Sequence, residues 1–373
     1  MSLKSYIVPR IAERILSPAR VTRNRARFEA KRQGRPQIEA FLDPSDPYSQ
    51  LLSAVLPQLE ARYDIDLITY SVGPPDDGAA PERDALAAYA TIDALRLASR
   101  AGIEADLTPH SAATGTEAAD ARLRELGHYQ GGMIHYGGEW YWGLDRLHYL
   151  EDRLAGIGVR RDGAPKAPIF APPVTPSGSG QSGQVLHWYL SFRSPYTAIV
   201  ASRVAELAKA YDAELRLRFV LPMVMRSLPV PKQKRQYIVQ DTAREADRLG
   251  ILFGRVSDPV GRPVERGYAV LNWAIEQGRG LEFTRSFLRM VWAEGIDAGS
   301  DRGLKRIVEA AEIDWTDAKA QLDNDTWRTV AESNRQDMTS HGVWGVPSFR
   351  VGDVVTWGQD RLWVVEKALR NDF

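Results

Sequence analysis

Residues 38–103 recur at 186–251 without a gap, at a constant offset of 148, and this repeat constrains the fold more than any other feature of the chain. Leu42, Pro47, Tyr48, Leu59, Tyr63, Asp64, Asp93 and Gly102 are answered by Leu190, Pro195, Tyr196, Leu207, Tyr211, Asp212, Asp241 and Gly250. The match resumes at Trp142–Leu147, which corresponds to Trp357–Leu362 at an offset of 215. The second copy is therefore longer by 67 residues (215 less 148). Two copies are too few for a solenoid, so the pattern reads as a duplicated domain with one copy shortened. A chain of 373 residues is also longer than one hydrophobic core usually supports.

Each copy opens with an alternating strand pattern, Ile38–Leu42 and Leu186–Leu190, then a turn, then helical periodicity. Leu215–Val220 alternates again, and a return from strand through helix to strand implies a right-handed parallel crossover. The extra residues of the second copy, about 252–340, carry apolar residues at helical spacing, as in Tyr268, Leu271, Ile275 and in Phe283, Phe287, Met290. They predict a helical insertion. Residues 161–184 are rich in Pro, Gly and Ser, a composition that cannot build a core, and are expected to link the copies. The expected division is a basic segment 1–37, a domain 38–160, a linker 161–184 and a domain 185–373.

Segment 1–37 holds ten Lys or Arg against two acids, which admits an arm for an anionic surface. Ile7, Ile11, Ile15 and Leu16 share a helical face, and a short amphipathic segment docked on the body is the preferred reading. Over the whole chain 48 basic side chains balance 48 acidic ones, which argues against a dedicated nucleic-acid binder. No apolar run approaches the roughly 20 residues of a membrane helix, and no secretory signal core is present. The expectation is a cytoplasmic protein with neither membrane nor nucleic acid as partner.

Cysteine is absent, which excludes disulfides, thiolate metal sites and protein-borne thiol redox chemistry together. Any thiol chemistry must borrow its thiol. The histidines at 110, 128, 135, 148, 187 and 341 show no metal-ligand spacing, so no metal is expected.

Two stretches carry candidate chemistry. At the first strand-to-helix turn of the second copy stands Ser194-Pro195-Tyr196-Thr197. Serine before proline is an ordinary helix cap, and the first copy has the equally good cap Asp46. A cap also sits where helix N–H groups favour negative charge. The second stretch is Gly345-Val346-Pro347-Ser348-Phe349, where a proline between a bend and an apolar strand suggests a cis bond or a strand edge.

Together these stretches resemble the thioredoxin superfamily, with serine and threonine replacing both cysteines of its C-x-x-C motif. Three features narrow the resemblance: Ser194-Pro195-Tyr196-Thr197, the Gly345–Phe349 loop, and Trp357-Gly358-Gln359-Asp360-Arg361-Leu362. With Phe287–Gly295 and the Lys234–Tyr237 segment, they make residues 186–369 similar to 2-hydroxychromene-2-carboxylate isomerases and kappa-class glutathione transferases. The implied fold is α/β, two tandem thioredoxin-like domains, the second with a DsbA-like helical insertion. The implied cofactor is glutathione, its thiol beside Ser194 and its backbone along Val346 and Pro347. Asp360 would meet the glutathione amino group and Lys234 a carboxylate, with Gln359 a further implied glutathione-binding residue; a solvated surface charge is the alternative for Asp360 and Lys234. The implied enzyme isomerises or conjugates a small, aromatic-derived electrophile, with a non-catalytic binding module as the alternative and a homodimer left open. Trp292 and Tyr268 are candidate pocket walls or plain core residues. Two departures stand out. Leu221–Leu228 lacks the family's glycines and asparagine, and the first copy has Asp46 for Ser194 and Gly132 for Pro347, which implies a catalytically silent domain.

Overall fold

Why the chain repeats itself is visible in its strand pairing. The computed structural model describes residues 3–104, 107 and 115–372, so His110 lies outside the described residues. In chain order the elements begin with helices α1 (Leu3–Leu16) and α2 (Pro18–Glu29). There follow β1 (Gln37–Leu42), α3 (Pro47–Arg62), β2 (Asp66–Ser71), α4 (Arg83–Ala101), α5 (Glu117–Glu125), β3 (Met133–Tyr136), β4 (Glu139–Trp142) and α6 (Leu147–Gly156). The second half has β5 (Val185–Leu190), α7 (Pro195–Ala210), β6 (Glu214–Phe219) and α8 (Lys232–Arg248). Helices α9 (Arg262–Glu276), α10 (Gly280–Trp292), α11 (Asp301–Glu309), α12 (Trp315–Ala320) and α13 (Trp327–Ser340) come next, then β7 (Ser348–Val351), β8 (Val354–Trp357) and α14 (Leu362–Leu369).

Two four-stranded sheets result, ordered β2-β1-β3-β4 and β6-β5-β7-β8. In each, the first pair is parallel and the other two are antiparallel. The registers coincide under the sequence offsets. Gln37↔Asp66 corresponds to Val185↔Glu214, Glu39↔His135 to His187↔Arg350, and Met133↔Trp142 to Ser348↔Trp357. Because one residue of slip would turn every side chain to the opposite face, equal registers turn corresponding strand positions to the same face of each sheet.

The chain divides into two compact units. The N-terminal unit comprises Thr22–Pro173 and Pro229–Tyr237; the C-terminal unit comprises Met1–Val21, Val174–Leu228 and Ile238–Phe373. In the C-terminal unit β5 is buried on both faces, and Trp188, Leu190 and Phe192 join Phe283 and Phe287 of α10 and Tyr268 of α9 in one core. Residues 262–340 are predominantly helical and pack within that unit. The core of the N-terminal unit is smaller, built on Ile38, Ala40, Leu52, Leu56, Leu97, Ile134 and Leu150.

Two expectations about the flanking segments change. The stretch 161–184 has no helix or strand, yet Phe170 is only 2 % exposed in the core of the N-terminal unit, and the Ile169 amide donates to Glu151 at 2.8 Å. One phenylalanine is enough to fasten a segment whose composition otherwise suggests a free tether. Helix α1 does dock, but not by its isoleucine row: buried Pro9 lies against Gly295, and Glu13 sits 3.8 Å from Arg255. Among the described residues no helix is long and apolar enough to cross a membrane, and no group of side chains is suited to hold a metal.

Candidate active site

Strand β5 delivers the chain to a tight turn in which the Ser194 amide donates to the Ser191 carbonyl at 3.0 Å. Pro195 fixes the first helical φ of α7, and Ser194 takes the extended conformation of a cap (φ −94°, ψ 115°). The Ser194 hydroxyl accepts from the Thr197 amide and donates to the Val346 carbonyl, both at 3.2 Å. The Val346–Pro347 bond is cis, as the sequence suggests. Ser194, Val346 and Pro347 are therefore brought together by two loops far apart in sequence.

Both loops are held from behind. The Gly358 amide donates to the Pro347 carbonyl at 2.9 Å, and the Ser348 hydroxyl donates to the Gly345 carbonyl at 2.7 Å. A side chain at Gly345 would fall inside the Trp357 ring, which itself meets Trp344 edge-on at 5.0 Å. On the other side, the buried Tyr268 hydroxyl donates to the Val220 carbonyl at 2.7 Å, accepts from the Phe192 amide at 3.3 Å, and lies 3.3 Å from the Ser191 hydroxyl. Burial raises the phenol well above its ordinary pKa, so it stays a neutral donor. Trp292 donates its indole N–H to the Phe192 carbonyl at 3.0 Å, and the Phe192 and Phe287 rings stack at 3.9 Å. Arg193 forks onto Asp258 with two bonds of 2.8 Å. Tyr268 and Trp292 are thus core residues that fix the turn carrying Ser194. Sequence reading missed this anchoring, because nothing in a single helix pattern says which backbone atom an aromatic side chain will meet.

Beyond β8, Gln359 is 2 % exposed, and both ends of its amide are engaged: Oε1 accepts from Arg203, and Nε2 donates to Glu245 at 2.7 Å. Arg203, pushed down to about 10 chiefly by burial, also donates to the Gln359 carbonyl at 2.9 Å. Asp360 is the more open neighbour; its side chain is 12 % exposed and 3.2 Å from Arg361. Lys234 belongs to the N-terminal unit, where its ammonium donates to the Ala79 carbonyl at 2.7 Å and burial pushes its pKa down to about 8.

The N-terminal unit closes the corresponding position with its own groups. The Asp46 carboxylate accepts from the Tyr48 amide at 3.4 Å and from the Ser49 amide and hydroxyl at 2.9 and 2.8 Å. Burial, opposed by those Ser49 bonds and aided by nearby Asp43, pushes Asp46 up to about 6. Gly132 (φ +69°) stands where the other unit has Pro347, and a Cβ there would lie 3.1 Å from the Asp46 carboxylate. A buried pair also recurs: Tyr48 donates to Asp93 at 2.9 Å, and Tyr196 to Asp241 at 2.8 Å.

Comparison with known proteins bears on the C-terminal unit. The model of the DSBA-like thioredoxin domain matches residues 185–370. A 2-hydroxychromene-2-carboxylate isomerase of Pseudomonas putida is 24% identical over 202 residues, spanning 50% of this chain and 94% of that protein. Among solved structures, a 2-hydroxychromene-2-carboxylate isomerase is similar at 21% identity and a TM-score of 0.44, covering 50% of this chain and 95% of the other. The cytosolic disulfide reductase DsbM from Pseudomonas aeruginosa is similar at 17% identity and a TM-score of 0.40, covering 50% and 99%.

Proposed function

Given that residues 185–370 form a DsbA-like thioredoxin domain, we propose that the chain is a glutathione-dependent isomerase or transferase acting on a small, aromatic-derived electrophile. The observation that carries this reading is the Ser194 hydroxyl, held at the start of α7 against the carbonyl of a cis Val346–Pro347 bond, in a chain with no cysteine. A disulfide-exchange role needs thiols the protein does not have.

The donor set fits a borrowed thiol. Glutathione, when bound, supplies a thiolate that adds to an electrophilic carbon. Ser194 is half-buried, and its hydroxyl hydrogen can turn from the Val346 carbonyl toward an anion while Oγ continues to accept from Thr197. The first turn of α7 adds its helix N-terminal partial charge at the same place. Among the described residues nothing accepts from the Val346 amide, so that N–H is free to pair with a peptide-like ligand in the manner of an added strand. Asp360 provides a carboxylate for an amino group. Gln359 and Lys234 are left outside this set, because Gln359 is enclosed by Arg203 and Glu245 and Lys234 is engaged with Ala79 in the other unit.

Equal strand registers, the paired Tyr–Asp bonds and the constant sequence offset support descent of the two units from one duplicated domain. In the N-terminal copy the Asp46 carboxylate fills the anion position at its helix start, which makes that copy a partner rather than a second active site.

Calorimetric titration of the full chain with reduced glutathione tests the proposal. Heat corresponding to one site per chain supports it, whereas silence at millimolar ligand would favour the reading as a non-catalytic binding module.

A further inference from the structure

Among the described residues, helix α1 meets the rest of the C-terminal unit through Pro9, Glu13 and Leu16. The opposite arc carries Ile7, Val8, Ile11 and Ile15, exposed to 41, 48, 52 and 46 %. Of thirteen exposed large hydrophobic side chains among the described residues, these four share one short helix, and the i, i+4, i+8 spacing puts three of them in a single row. A row of this kind marks an interaction surface.

Charge selects the occupant. Arg14 is exposed on α1 and Arg20 in the first turn of α2, and Met1–Val21 holds four Lys or Arg against the one acid Glu13. Neither Arg14 nor Arg20 has a carboxylate within ion-pair distance among the described residues. A second copy of this chain, docked row to row by a two-fold axis, would bring like charges together. An anionic lipid surface satisfies both features at once, since acyl chains accept the isoleucines and headgroup phosphates the arginines. We propose that α1 is an interfacial helix by which the protein attaches to an anionic membrane surface. At 14 residues it lies in the interface and does not span.

Flotation of the full-length protein with vesicles provides the test. Phosphatidylcholine vesicles containing about one third phosphatidylglycerol should bind the protein at low salt and release it as salt rises, and pure phosphatidylcholine should not bind it. Ile11→Glu should abolish flotation, while Arg14→Gln and Arg20→Gln should each weaken it about fivefold. Both positions are exposed, so unchanged melting curves will separate lost attachment from lost folding. No flotation at low salt, or flotation indifferent to Ile11→Glu, overturns the proposal. So does sedimentation showing a wild-type dimer that Ile11→Glu converts to monomer, because the row would then be an interface between copies.

Discussion

Replacing Ser194 by alanine separates the two roles of one hydroxyl. Its acceptor role toward the Thr197 amide is that of a helix cap, worth about 1 kcal/mol of folding stability. Its donor role toward the Val346 carbonyl adds a neutral hydrogen bond of about 1 kcal/mol, so Ser194→Ala should cost roughly 1–2 kcal/mol by denaturant unfolding. Toward a bound thiolate the same hydroxyl makes a charge-assisted bond worth about 1.5–3 kcal/mol, which corresponds to roughly 10 to 150-fold in thiolate population where the thiolate is limiting. A free thiol has a pKa near 8.5, about where its removal from the serine should return it. Ultraviolet absorbance of the thiolate, titrated against pH in the folded variant with saturating glutathione, reads this directly. Asp46→Ala, in the other unit, should leave that titration untouched. Equal thiol pKa values in wild type and Ser194→Ala would refute the reasoning and leave Ser194 as a cap alone.

The raised Asp46 should make the N-terminal unit pH-sensitive: the folded state holds its proton to about pH 6 while the unfolded chain releases it near 4, so stability falls as pH rises through that window. Asp46→Asn should flatten the dependence, as seen in melting curves at pH 4 and pH 7. Gly345→Ala drives a methyl group into the Trp357 ring and should cost about 1–3 kcal/mol, together with a change in tryptophan fluorescence. Tyr268→Phe leaves the Val220 carbonyl and the Phe192 amide without their partner, an expected loss of about 1–3 kcal/mol by chemical denaturation, and should weaken glutathione binding by loosening the Ser194 turn.

Much of the fold was legible because it is written twice. The offset of 148 maps β1 and β2 onto β5 and β6 residue for residue, and the offset of 215 does the same for β3 and β4 onto β7 and β8. Ser194 was legible as a cap from its proline, and the Val346–Pro347 loop from its place before an apolar strand. The shell behind them was not. Arg203, Glu245 and Gln359 form one buried chain of hydrogen bonds from three distant segments, and no local spacing announces it. The isoleucine row on α1 misled for a related reason: amphipathicity states that a face wants cover, not that the same molecule supplies it. Likewise Lys234 sits in a helix whose first turns belong to a unit that sequence order would not assign to it.

That last feature changes what cutting the protein would do. The chain passes between the two units four times, after Val21, Pro173, Leu228 and Tyr237. A protease nick within 161–184 would therefore not release two autonomous pieces, because the C-terminal fragment would still own Pro229–Tyr237, a stretch whose lysine is satisfied by Ala79 of the other fragment. Expressed without residues 22–173, the same fragment would present a buried-type lysine and Tyr237 to water at the start of α8. The consequence is a ratchet: because one unit takes in a strip from within the other's stretch of chain, neither can be deleted without unpicking the other.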